Sequence, residues 1–259
     1  MVAKERQNAA HWKQMLPESV KLMVEGIGAL AAAGLAVGGC SYAAMAPASQ
    51  LFGATLIAPK RRGQIALTFD DGPNPAWTPQ LLELLARHRV HATFFLIGKH
   101  AGEEPYLTRA IADAGHVIGN HSWSHPNLAL TPPKRVKDEL KRTKQMLEHI
   151  TGTAVRFFRP PFGARRPDVL NTALDLGMTP VLWNAMTADW KERSAEKIAG
   201  RIGEKIDSLG RREMAANVVL HDGGHRELGK DRGPSVEAAK LLLERYVGVR
   251  RFVTVDAWI

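Results

Sequence analysis

From Ile65 onward, short apolar runs of strand character alternate with longer stretches of helical periodicity, and that alternation constrains the fold more than any other feature of the chain. The runs are Ile65–Phe69, Ala92–Ile97, His116–Gly119, Val155–Phe158, Pro180–Trp183, Ala216–Leu220 and Phe252–Val255. Between them the spacing predicts helices over 79–89, 103–114, 133–150, 167–176, 194–209 and 236–246. Pro79 suits a first helical turn, Gly115 and Gly177 suit helix ends, and Ser194 is placed to cap an N-terminus. Such an alternation packs as a parallel sheet covered by helices, an α/β barrel or an open α/β sheet. Neither a GxGxxG loop nor a GKS/T phosphate loop is present.

The chemistry gathers where the strands end. Ile65, Leu67 and Phe69 alternate with Ala66 and Thr68, and the run then meets Asp70, Asp71 and a Gly72-Pro73 stop. Alone, that pair of carboxylates reads equally as a capping or turn feature. But His121 and His125 follow another strand, Arg159 a third, Asp189 lies in the loop after Trp183, and His221 with Asp222 ends a fifth. In an α/β barrel these C-terminal ends share one rim.

His121 and His125, four apart, can bind one divalent cation, with a carboxylate from Asp70 or Asp71 completing the set. Ser122 stands where a zincin helix needs its glutamate, so the base must come from elsewhere. The aspartate not on the metal takes a proton, with Arg159 beside it keeping it ionised. His221 can protonate a departing amine, and Asp189 can fix the tautomer of its imidazole. Together these groups suit amide hydrolysis without a serine or cysteine nucleophile.

The single cysteine, Cys40, removes any intrachain disulfide and any cysteine-rich metal site, so a metal must sit on histidine and carboxylate ligands. The net charge of +9 suits an anionic polymer or surface, but basic residues are intermixed with acids and form no dominant block. Nucleic acid is therefore not expected as a partner, and no obligate protein partner is inferred. Residues 1–25 form a slightly basic tail, and no charge occurs from Gly26 to Pro59. Within that gap, 26–46 is expected to form a transmembrane or signal-anchor helix, with 47–62 as linker and 63–259 as catalytic domain. The other reading of 26–46 is a buried Ala-rich helix. Val37 to Ser41 loosely matches a lipoprotein cleavage site, which would place a lipid on Cys40.

In order, Thr68 to Pro73, His121 to His125, Arg159 to Gly163, Asp189-Trp190 and Leu220 to Asp222 resemble the five motifs of the polysaccharide deacetylases, the NodB-homology or carbohydrate esterase family 4 group. The resemblance covers about Gln64 to the C terminus. It implies a deformed (β/α) barrel of about seven strands and one divalent ion, zinc before cobalt, manganese or nickel. It implies Asp70 as general base, Asp71, His121 and His125 as metal ligands, and Arg159 as the group that positions the base. It further implies the Phe162 backbone N–H as oxyanion donor, His221 as general acid with Asp189 behind it, and Trp190, Val219 and Leu220 as walls for the acetyl methyl. The implied reaction is hydrolysis of the N-acetyl amide of an amino sugar, N-acetylglucosamine or N-acetylmuramic acid, in an envelope glycan. With the anchor expected over 26–46, that substrate implies a bacterial membrane-anchored protein whose catalytic domain lies outside the cytoplasm, at the periplasm or cell surface.

Met186 stands where relatives often carry a further aspartate, three residues before Asp189. His225 and Arg226 extend the fifth motif and either face substrate or belong to a solvated loop. Trp77 and Trp123 either stack on sugar faces or pack in the core. The same fold and metal logic also serve deformylation of a lipid-linked amino sugar or hydrolysis of another amide or imide, and a glycan-binding protein without catalysis is the reading from a different class.

Overall fold

The strand that carries the paired aspartates, β1 (Gln64–Asp70), is buried from Ile65 onward and pairs with three other strands, all in parallel. The computed structural model describes residues 38–259, together with Ile27 and Gly34. To one side of β1 lie β2 (Thr93–Leu96), β3 (Val117–Asn120), β4 (Phe157–Phe158) and β5 (Thr179–Pro180). To the other lie β7 (Ala216–His221) and then β6 (Ala185–Met186), while β8 (Arg251–Phe252) pairs with the start of β1. The path runs β5-β4-β3-β2-β1-β7-β6, so its two edge strands are consecutive in the chain, and Leu56 bridges to Val181 between them. The sheet thus curls into a half-barrel. β1 and β7 are in register with Asp70 beside His221, which sets a carboxylate and an imidazole on neighbouring strand ends.

Seven helices cover the sheet among the described residues from Thr78 onward: α1 (Thr78–His88), α2 (Gly98–Glu103), α3 (Pro105–Asp113), α4 (Pro133–Thr151), α5 (Pro167–Asp175), α6 (Ala195–Arg211) and α7 (Gly233–Tyr246). The two-residue period of the strands sorts their side chains. Ile65, Leu67 and Phe69 of β1 and Val218 and Leu220 of β7 join the larger core with the helices. On the inner face, Ala66, Phe95, Phe157 and Val181 form an apolar floor with Val255 and Trp258 of the C-terminal 3-10 turn. Above that floor comes a polar layer. The Thr68 hydroxyl donates to the Val218 carbonyl and accepts from Arg159, and the Asn217 amide donates to the carbonyls of Ile57 and Leu182. Asp70 and His221 form the layer above.

The helix expected over 103–114 is two helices, because Pro105 has no N–H to continue the first and Glu104 leaves helical geometry with φ −123°. The strand expected over Pro180–Trp183 ends at Pro180, and β6 follows it as a separate strand on β7. Residues 46–59 pack onto the sheet: the buried Arg165 guanidinium donates to the Ala46 and Ser49 carbonyls, and Ala215 N–H to the Pro59 carbonyl.

The membrane-spanning or signal-anchor helix expected over 26–46 is corrected: among the described residues no helix is long and apolar enough to cross a membrane. The membrane as a partner and the anchored, outward-facing localisation fall with it. Of that stretch, residues 38–45 are helical and end ahead of Pro47, and their Gly, Ser and Ala content gains little on transfer to lipid. Gly26, 28–33 and 35–37 lie outside the described residues. Cys40 is a free, exposed cysteine.

Candidate active site

Three loops at the C-terminal ends of β1, β3 and β4 build one wall of the rim. Asp71 follows β1 with φ +71°, which turns its carboxylate away from that of Asp70. Its Oδ1 stands 3.1 Å from His125 Nε2 and 3.4 Å from His121 Nε2. The loop bearing both histidines is held from beneath by Glu139 of α4, whose carboxylate accepts from the Trp123 and Ser124 N–H groups and the Ser124 hydroxyl at 2.7–2.9 Å. The Asn120 side chain accepts from Ser122 N–H, and the Ser122 hydroxyl from His125 N–H. His121 Nδ1–H donates to the Arg159 carbonyl at 2.8 Å, which leaves the Nε2 lone pair facing Asp71.

Asp71 Oδ1 is buried without a hydrogen-bond partner, although two imidazole nitrogens are close. An orphaned carboxylate oxygen between two converging lone pairs fits a cation, and Asp71, His121 and His125 can hold one divalent ion. Burial alone would push the Asp71 carboxyl up, but His121, His125 and His225 outweigh it and hold it well below the usual carboxylate range. Burial pushes His125 below its ordinary value against the pull of Asp71. An ionised carboxylate and a neutral imidazole are the forms that bind metal.

Asp70 is treated differently. Arg159, fully buried with its guanidinium 4.0 Å above the Phe95 ring, donates to Asp70 Oδ1 at 2.7 Å. Across the rim His221 Nδ1 meets Asp189 Oδ1 at 2.9 Å, and Asp189 Oδ2 accepts from the His221 N–H and the Ser235 hydroxyl. Burial disfavours the His221 cation, but Asp189, then Asp71 and Asp70, raise its pKa to about 9. The two loops meet closely because Gly223 has no side chain: a Cβ there would stand 2.1 Å from the Asp71 carbonyl oxygen.

These walls enclose a cavity of about 580 Å³. Asp70, Asp71, His121, His125, Phe162, Trp190, Val219 and His221 all line it; Arg159 and Asp189 stand behind. Phe162, at φ +60° and 49% exposed, sets its ring edge-on to His125. Trp190 does the same to His221. Leu220 is placed elsewhere, since the strand period turns it into the core behind Val219. Met186 reaches the cavity, as does Trp183. Trp77 packs against Gly233, and Trp123 against Gly98 under Arg142. His225 stacks on His125 at 4.5 Å and 17°, with Nδ1 3.7 Å from Asp71 Oδ2. Glu139 and Ser235 were not legible as site residues, although a glutamate three residues after Val136 on the apolar side of α4 is a signal that something polar lies beneath that helix.

A metal-competent cluster set between a carboxylate and an imidazole at the rim of a parallel half-barrel defines a metal-dependent hydrolase. The polysaccharide deacetylase family matches residues 58–181. A peptidoglycan-N-acetylglucosamine deacetylase of Bacillus cereus is 36% identical over 202 residues, covering 77% of this chain and 69% of that one. A chitooligosaccharide deacetylase of Azorhizobium caulinodans is 38% identical over 165 residues, covering 63% of this chain and 76% of that one. Among solved structures, BA3943 of Bacillus anthracis, described as a CE4 family pseudoenzyme, superposes with a TM-score of 0.70 at 27% identity, covering 79% of this chain and 68% of that one. The chain belongs to the polysaccharide deacetylase family. Its site is that of a metal-dependent hydrolase acting on the amide of an amino sugar.

Proposed function

We propose that this protein removes the N-acetyl group from N-acetylglucosamine or N-acetylmuramic acid units of peptidoglycan or a chitin-like glycan, with zinc held by Asp71, His121 and His125. The observation that carries the reading is the pairing of opposed proton-transfer groups around the metal-competent cluster, Asp70 on Arg159 and His221 on Asp189. Two imidazoles and a carboxylate leave open positions on zinc, and cobalt, manganese or nickel accept the same donors. When bound, such an ion polarises an acyl carbonyl and acidifies water.

The residues divide the proton work. Asp70, oriented by the Arg159 guanidinium, takes a proton from the water whose oxygen bonds to the acyl carbon. The Phe162 backbone N–H donates to the oxyanion that develops there. His221, protonated against Asp189, gives its proton to the sugar nitrogen as the C–N bond breaks, which leaves acetate and a free amine. Trp190 and Val219 receive the acetyl methyl.

The test is acetate release by the zinc-loaded chain from peptidoglycan and from N-acetylglucosamine oligomers. Release from one of them that a chelator abolishes and zinc restores is the expected result. A metal-loaded chain that liberates acetate from neither substrate overturns the reading.

A further inference from the structure

The cavity wall made by the loop after β7 is basic. Arg226, Lys230 and Arg232 line it, with Glu227 as the acid among them. Arg232 is only 8% exposed, yet no carboxylate of the described residues pairs with it. Its Nε donates to the Gly223 carbonyl at 2.5 Å, and its Nη2 end lies beside Gly224, in the loop that carries His225 against His125. The guanidinium is therefore aimed and held, but its charge is not compensated. Neighbouring Asp231 is drawn away to Arg193 at 3.2 Å, Glu227 lies 3.4 Å from Lys230, and Arg226 has no ion pair among the described residues.

A buried guanidinium without a counter-ion is costly unless an anion arrives to meet it, and its planar fork suits carboxylate and phosphate oxygens. Of the acids around the cavity, Asp70 is ion-paired with Arg159, and Asp71 lies among His121, His125 and His225. We propose that this wall is an anion subsite: the substrate is an N-acetylated amino sugar carrying a carboxylate or phosphate close to the scissile amide, held by Arg232 with Arg226 and Lys230. The proposal rests on the deacetylase reading, and it narrows the substrate to acidic sugars. Arg232 orients the anion, and the two exposed cations draw it in.

Equilibrium binding to the zinc-loaded full chain carrying Asp70→Asn tests it, because the ligand then survives the measurement. The probes are an N-acetylglucosamine oligomer, the same oligomer with a 3-O-lactyl carboxylate, and the same oligomer with a phosphate monoester. At least one anionic probe binds about tenfold or more tighter than the neutral one, and which of them does so identifies the source of the anion. The advantage shrinks as salt is raised. It also shrinks in Arg232→Gln and in the surface pair Arg226→Gln/Lys230→Gln. Equal affinity for all three probes overturns the proposal, as does an advantage that survives both sets of substitutions. Acyl release from the same probes by the unsubstituted enzyme is read separately, so failure of the deacetylase reading does not hide the binding ratio.

Discussion

The two walls of the rim are made in different ways. On the metal wall the backbone does the aiming: Asp71, Ser122, His125 and Phe162 all sit at positive φ, between 57° and 71°, and only Arg89 and Glu213 join them among the described non-glycine residues. Such conformations cost about 1–3 kcal/mol each and persist where surrounding bonds over-determine them. Glu139, Asn120 and the Arg159 carbonyl supply those bonds. The acid wall uses ordinary strand and helix geometry, and charge does the aiming there: Asp189 fixes His221, and Ser235 in the first turn of α7 fixes Asp189. Placement that depends on strained backbone is lost all at once, whereas placement that depends on charge can be adjusted by degrees.

The sharpest way to break this contrast is to remove a metal ligand. His121→Ala should lose bound zinc and with it several kcal/mol of transition-state stabilisation, roughly a 10⁴-fold fall in kcat. Metal content by atomic absorption, read beside acetate release, checks it; full zinc with full activity would remove His121 from the site. Next comes Asp70→Asn, which keeps the oxygen facing Arg159 but cannot take the proton. Zinc stays, and kcat falls about 10³-fold. Asp70→Ala adds a cost of stability, about 3–5 kcal/mol, because it leaves the buried Arg159 unpaired. Urea unfolding separates the two variants.

Asp189→Asn probes the charge-aimed wall. Activity needs Asp70 ionised and His221 protonated, so the rate falls on the alkaline side as His221 loses its proton. Asp189 is the main group that raises His221 to about 9 in the metal-free chain. A cation on Asp71 offsets part of the carboxylate contribution, so the limb of the metal-loaded enzyme lies below about 9. Replacing Asp189 by Asn leaves burial opposed only by Asp71 and Asp70 and moves the limb toward acid, with a loss of about 10²-fold at alkaline pH. A pH profile of kcat/KM with an unmoved alkaline limb would place the acid elsewhere.

The same contrast explains what could be read from the chain. Asp70, Asp71, His121, His125, Arg159, Asp189 and His221, the residues of the proposed chemistry, could be singled out because each lies at or just beyond a strand end, and the structure brings them to one rim. The supports were harder to see. Ser235 stands 46 residues from Asp189, and no local pattern joins a helix start to a loop on another strand. Arg232 reads as one more surface cation until the fold buries it. Leu220 misled because adjacent strand residues face opposite ways, so Val219 at the cavity requires Leu220 behind it. For 26–46, the absence of charge did not carry the membrane expectation, since among the described residues no helix is long and apolar enough to cross a membrane.

Ser235→Ala is the gentlest way to sharpen the comparison. The Ser235 hydroxyl donates to Asp189 Oδ2 at 2.7 Å, the oxygen that also accepts the His221 N–H, so it shares the charge that Asp189 presents to the imidazole. Removing one hydrogen bond to a charged group costs about 1.5–3 kcal/mol at most, and here much of that falls on placement of Asp189, so kcat should drop by about tenfold or less. The sign of the pH shift is the informative part. Without the hydroxyl, the carboxylate charge is less shared and holds the His221 proton more tightly, so the alkaline limb moves up, opposite to its movement in Asp189→Asn. If both variants move the limb in the same direction, Asp189 acts through geometry alone, and the acid wall is aimed by backbone and packing as the metal wall is.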